Sequence, residues 1–200
     1  MRELSNNKVI SVINKVVDAV ILSLLWVLCS LPVITIGASS AALYHAVSES
    51  VIQDKGYAYK SFFKSFKLSF RQSIFFTVAF LLFATTFLFI IFFFYYNPMG
   101  LFSQVYSVFC LFCLALTALG HTYVFALIGR FDLTSRQILS LLVRLIFRNL
   151  PRSLLILIVF ALLLNFTISY PFLLLIAPCG YVLIVSLLME SPVKRYIRIQ

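Results

Sequence analysis

Three stretches of this chain contain no Asp, Glu, Lys or Arg: residues 19–48, residues 72–129 and residues 153–189. The middle one runs for 58 residues, and all 16 Lys and Arg side chains lie between or outside these runs. A charge held near the centre of a bilayer costs about 2.5–3.5 kcal/mol even on the mildest scales, so chains that live in lipid segregate charge in this way. With 62% apolar and 11% charged residues, the chain lacks the polar surface of a water-borne domain. A spanning helix takes roughly 20 apolar residues. The apolar length therefore allows five or six crossings and leaves almost nothing for a soluble domain. The expected fold class is all-α: one integral membrane domain over residues 1–200, a polytopic transmembrane bundle built of helical hairpins.

Each run has a proline near its middle. Asn97-Pro98-Met99-Gly100 is a turn signal, which divides the longest run into spans at 73–96 and 101–129 with Tyr95 and Tyr96 at the tip, where interfacial aromatics belong. Tyr170-Pro171 divides the last run into spans at 153–169 and 171–189, and Pro178 is expected to kink the second of these. An undivided helix of 37 residues would be about 55 Å long. Pro32 divides the first run into 9–31 and 33–52. The second of these is weakly hydrophobic, with Thr35, Ser39, Ser40, His45, Ser48 and Glu49, and has to pack inside the bundle if it spans. The first run starts late and without a strongly basic lead, so it reads as a retained span and not as a cleaved signal.

Charge sets sidedness. Lys and Arg collect on the cytoplasmic side of membrane proteins. Five crossings put 13 basic residues there and six put all 16 there, with both termini inside. The positive-inside rule favours six, and the weak hydrophobicity of 33–52 favours five. Either way the carboxyl terminus and the basic loops are expected to be cytoplasmic, in the cell membrane. The net charge of +10 then answers to anionic lipid headgroups, and nucleic acid is not an expected partner.

Two basic segments carry a pattern of their own. Lys60, Lys64, Lys67 and Arg71 recur at helical spacing beside Phe62, Phe63, Phe66 and Phe70, which predicts an amphipathic helix lying in the membrane interface. Arg144, Arg148 and Arg152 repeat the arrangement, with Thr134 as the cap of a helix starting at Ser135 and Pro151 tolerated at the start of the next span. The hexapeptides ending at Gln72 and Asn149 match at charge, Phe and amide positions, which suggests a parallel repeat. These seven cations are the candidate lipid- or partner-binding residues. Thr35, Gly37, Ser39, Ser40 and His45 form a second candidate set, lining a cavity or permitting close helix contact.

Support for catalysis is thin. The chain has no nucleophile elbow, phosphate loop, zinc-protease motif or paired intramembrane carboxylates. His45 and His121 are isolated in apolar runs, where internal hydrogen bonds are expected. Glu49, Asp54 and Asp132 sit beside basic clusters, where pairing is expected. Cys110 and Cys113 have C-x-x-C spacing without a second pair, and read as packing residues of one helix with Cys29 and Cys179 elsewhere. No enzyme activity, cofactor or metal is expected.

The stretch Leu31-Pro32-Val33-Ile34-Thr35-Ile36-Gly37, continuing to Ala42-Leu43-Tyr44, with Trp26 before it and Phe70-Arg71-Gln72 after it, resembles the signature of the YesL-like family of bacterial membrane proteins, a domain of unknown function. The resemblance covers the hydrophobic layout of nearly the whole chain. It implies a role around carbohydrate uptake or its regulation, with sugar-uptake transporter components as partners, and brings no catalytic residues. The basic loops lack the Glu-Ala-Ala-type segment by which a sugar permease docks its ATPase. The expected function is therefore a multi-pass accessory protein, the alternative being a small transporter or channel subunit for a polar solute.

Overall fold

A computed structural model describes residues 2–52, 57–97, 100–131 and 133–197, and the side chains within 13–50, 57–97, 100–131 and 133–189. Among the described residues there are helices and no strands. Asp54, Lys55, Pro98 and Asp132 lie outside them, as do the side chains of Arg2, Lys8, Lys194 and Arg195. The chain runs α1 (Arg2–Ser30), a 3₁₀ turn (Val33–Thr35), α2 (Ile36–Ala46), a π-helical turn (Val47–Ile52), α3 (Ala58–Tyr96), α4 (Leu101–Arg130), α5 (Ser135–Arg148), α6 (Leu150–Ser169), a second 3₁₀ turn (Pro171–Leu175) and α7 (Ala177–Ile197).

Pro32 stops α1, because a residue preceding proline is pushed out of the helical region. The Thr35 hydroxyl lies 2.6 Å from both the Cys29 and Pro32 carbonyls, supplying a donor that the broken helix cannot. The chain then turns back as α2, where Ala38, Ala41, Ala42 and Ala46 are fully buried. This helix is the centre of the fold and packs chiefly on α3 and α4.

α3 differs from the expected arrangement. An interfacial helix over 60–71 followed by a separate span at 73–96 is replaced by one unbroken helix of 39 residues. At 1.5 Å per residue it is about 58 Å long, nearly twice the roughly 30 Å hydrocarbon core. Nothing between Arg71 and Ser73 interrupts the backbone ladder. After the matching hexapeptide at 144–149, Pro151 removes a donor in the first turn of α6, and the chain breaks at Asn149. The two basic segments are therefore alike in sequence and unlike in structure.

The α3–α4 hairpin turns at Asn97, whose N–H donates to Phe93 O at 3.0 Å, and at Gly100, whose φ of 64° favours a residue without Cβ. α5 starts where expected. The Thr134 N–H donates to Gln137 Oε1 at 3.0 Å, a capping arrangement. The last run divides in two after Ser169, but Tyr170 is followed by a 3₁₀ turn, and Pro178 falls in the first turn of α7. There its missing N–H costs nothing, and the expected kink is absent.

Among the described residues, four helices are long and apolar enough to cross a membrane: Ile13–Ser30, Ala58–Tyr96, Leu101–Arg130 and Leu150–Ser169, with a shorter apolar stretch at Ala177–Met189. Burial is uneven along the α3–α4 hairpin. In α3 the buried residues end at Thr77, and in α4 nearly all of them begin at Leu119. The distal part turns side chains such as Phe83, Phe89, Val105 and Phe112 outward, an apolar surface suited to lipid and not to water.

Candidate functional site

α3 presents two different faces over its basic half. Lys60, Lys64, Lys67 and Arg71 are all exposed, and the Lys60 ammonium stands 4.9 Å from the centre of the Tyr57 ring, within cation–π range. The phenylalanine stripe, expected to face the membrane as one surface, is divided. Phe62 is fully buried and Phe66 half-buried, but Phe63 and Phe70 face outward. Ser61, Ser65, Ser69, Ser73 and Thr77, at strict four-residue spacing, are buried. Small side chains on one helical face allow close approach of a second helix, and that helix is α2. The signal was present in the sequence, masked by the larger side chains beside it.

Two contacts fix the register of this pair. A Cβ on Gly37 would fall on the Thr77 hydroxyl and the Phe125 ring, and the Ser61 hydroxyl donates to the Glu49 carboxylate. α2 and its π turn thus run antiparallel along the basic half of α3. α4 joins on the other side, where His45 Nδ1 donates to the Gly129 carbonyl at 3.0 Å. Glu49 also approaches His45 Nε2 at 3.5 Å. The Arg130 guanidinium donates to Ser186 of α7 and, at 3.5 Å, to Ser48. These groups tie α2, α3, α4 and α7 at one end of the bundle, and π turns of this kind are frequent where a helix carries function.

The second candidate set divides. Thr35 closes the α1–α2 turn. Ser39 is fully buried and donates to the Thr35 carbonyl at 3.0 Å, and Gly37 is a contact point. His45 belongs to the polar cluster. Only Ser40 borders the larger cavity, where its hydroxyl accepts from Trp26 Nε1 at 3.2 Å. Ser39→Cys in lipid is expected to resist a small aqueous thiol reagent until the protein is unfolded, whereas rapid labelling of the folded protein would restore Ser39 as a pore-lining position.

The second basic segment is spread over two helices. Arg144 and Arg148 are exposed on α5, which buries Ile138 and Leu145. Arg152 is half-buried in α6. Next to Arg152, the Ser153 hydroxyl lies 2.9 Å from that of Tyr123, and on α7 Tyr181 pairs with Thr122 at 2.8 Å. Cys110 is buried and Cys113 half-buried in α4. His121 departs from expectation. It makes no hydrogen bond to a described residue, and its ring lies against Phe125 and Phe80, 4.5 and 5.9 Å away between centroids.

The arrangement is that of a membrane-embedded helical protein. Its polar side chains join helices to one another, and the four cations of α3 face outward along that helix. Residues 19–98 match the family model described as "Protein of unknown function, DUF624", a stretch from within α1 to the tip of the α3–α4 hairpin. No curated protein and no solved structure matches the chain.

Proposed function

We propose that this protein is a non-enzymatic accessory component of the cytoplasmic membrane, which uses the outward cations of α3 to hold anionic lipid headgroups on the cytoplasmic side. The observation that carries this reading is that Lys60, Lys64, Lys67 and Arg71 are all exposed, along a helix whose opposite face is buried. Arg144, Arg148 and Arg152 extend the same basic end. Phe63 and Phe70, exposed beside the α3 cations, suit a site at the headgroup boundary. A cytoplasmic protein partner is the second reading of the same surface.

Six crossings place every basic residue and both termini on the cytoplasmic side. The register of α2 on α3 bears on how the first hairpin does this. Its π turn lies beside Ser61, among the cations, and Gly37 reaches only Thr77. The reading this supports is a first hairpin seated toward the cytoplasmic side and enclosed by the α3–α4 hairpin. The YesL-like resemblance is consistent with the match to a family of unknown function. The association with carbohydrate uptake and its transporter components rests on that resemblance alone. Transport of a polar solute draws less support, since Thr35, Ser39 and His45 are held in helix–helix and turn contacts.

Replacing Lys60, Lys64, Lys67 and Arg71 together by Gln tests the proposal. Each cation near an anionic leaflet contributes about 1 kcal/mol, so the four account for up to about 4 kcal/mol, nearly a thousandfold in relative affinity. The wild type is expected to retain phosphatidylglycerol over phosphatidylcholine through purification, and the variant to lose that preference while staying folded. Equal lipid retention by the two proteins, with partner recovery and sugar uptake also unchanged, would remove the reading.

A further inference from the structure

A cavity of about 170 Å³ opens between α1, α2, α4, α6 and the start of α7. Rings form much of its wall: Trp26, Tyr44, His121, Phe125, Phe160 and Tyr181. On one side it is bordered by Leu164 and Leu174, which are exposed on apolar segments of the last run, so its approach is from lipid. Among the described residues, no Asp, Glu, Lys or Arg lines it. The volume is close to that of an apolar protein cavity of about 150 Å³ that stays dry and admits benzene.

The cavity is not uniformly apolar. The Tyr44 side chain on its wall is 3% exposed, and its hydroxyl has no hydrogen-bond partner among the described residues. His121, also on the wall, makes ring contacts only, with Phe80 and Phe125. The Tyr44 hydroxyl is a buried polar group without a partner, which costs about 1–3 kcal/mol. Half-buried His121 is a second hydrogen-bonding group on the same wall, and together they mark where a ligand's polar group belongs. Thr122 and Tyr181, by contrast, satisfy each other at 2.8 Å.

We propose that this cavity binds a neutral, ring-sized amphiphile that arrives through the bilayer and carries one hydroxyl or carbonyl group. The ring occupies the aromatic walls, where offset and edge-on contacts are available. The polar group pairs with His121 or Tyr44. A charged ligand is excluded because no countercharge lines the site and desolvation would be uncompensated. A plain acyl chain would fill the volume but leave both polar groups as they are. The inference does not depend on the lipid-holding role of α3, whose cations do not border the cavity.

Trp26 is the sole tryptophan of the chain and lies on the wall, so its fluorescence reports occupancy by a heavy-atom probe. With the full chain in nanodiscs, 4-bromophenol is expected to quench Trp26 saturably, and excess phenol is expected to reverse the quench. Thr167→Phe, on the wall from α6, is expected to abolish the saturable component. One of His121→Leu and Tyr44→Phe is expected to weaken 4-bromophenol by about tenfold, the scale of one hydrogen bond, and both are expected to leave bromobenzene unchanged. Two wild-type results need no variant to overturn the proposal. One is quenching linear in probe and indifferent to phenol. The other is equal quenching by a phospholipid brominated on its acyl chain that phenol does not displace, which would assign the cavity to bilayer lipid.

Discussion

Gly129→Ala is expected to lower the thermal midpoint of the purified protein by on the order of 10 °C, a large effect for a single methyl group. A Cβ at this position would fall on the Ala41 carbonyl oxygen and lie 3.0 Å from Tyr44 Cβ. Neither obstacle is a flexible side-chain end that could swing aside, so α2 and α4 must separate. Overpacking of this kind costs about 1–3 kcal/mol and sometimes more, and here the backbone contact puts it at the upper end. Separation also lengthens the His45–Gly129 and Arg130–Ser48 bonds, now 3.0 and 3.5 Å. Alanine recovers at most about 1 kcal/mol through helix propensity. For a chain of this size each net kcal/mol moves the midpoint by roughly 2–4 °C. Gly180→Ala is the control: it adds the same methyl to α7 where nothing lies within 4 Å, and should leave the midpoint level or raise it slightly. Equal midpoints for the two variants in mild detergent would show that the α2–α4 approach is not close.

The parts of this fold that could be read in advance are those set by chain-local chemistry. Charge-free runs give the lipid-facing lengths, and Pro32, Asn97-Pro98 and Tyr170-Pro171 mark where helices cannot continue. The α4 boundaries and the Ser135 start of α5 follow directly. What could not be read depends on what a helix faces. Phe62, Phe63, Phe66 and Phe70 share a helical surface with no local rule to say which meet lipid and which meet the rest of the protein, and amphipathicity alone sets all of them toward the membrane. In lipid that rule loses force, because an exposed Phe meets hydrocarbon as readily as a buried one, and small residues decide the contact instead. The α3 cations are exposed while Phe62 is buried and Phe63 is not, because a charge has one acceptable direction and an aromatic ring has two. The lone His121 was assigned an internal hydrogen bond because an isolated imidazole in an apolar run normally has one. Its position against two phenyl rings, on the edge of a cavity, is a tertiary fact.

The serine face of α3 carries the second large effect, one that runs against hydrophobic intuition. Ser65→Leu with Ser69→Leu makes the chain more apolar, yet it is expected to destabilise the fold by about 3–5 kcal/mol. Both serines are buried, and the Ser69 hydroxyl donates to the Ser65 carbonyl at 2.7 Å, so that it is satisfied within α3 and asks nothing of α2. They sit between the two contacts that fix the register, Ser61 with Glu49 at one end and Thr77 with Gly37 at the other. A leucine at either place would push its branched end into α2, and each insertion into a packed contact costs about 1–3 kcal/mol. The reverse exchange on the outward face, Phe63→Ser, removes a large apolar side chain that is 50% exposed. It should stay within about 0.5 kcal/mol, the range for surface changes. Heating the three proteins in one mild detergent and following the monodisperse fraction separates the cases. Loss of the double leucine variant with survival of Phe63→Ser places α2 on the serine face. The opposite order would put the phenylalanines in the core and detach α2 from the helix that carries the cations.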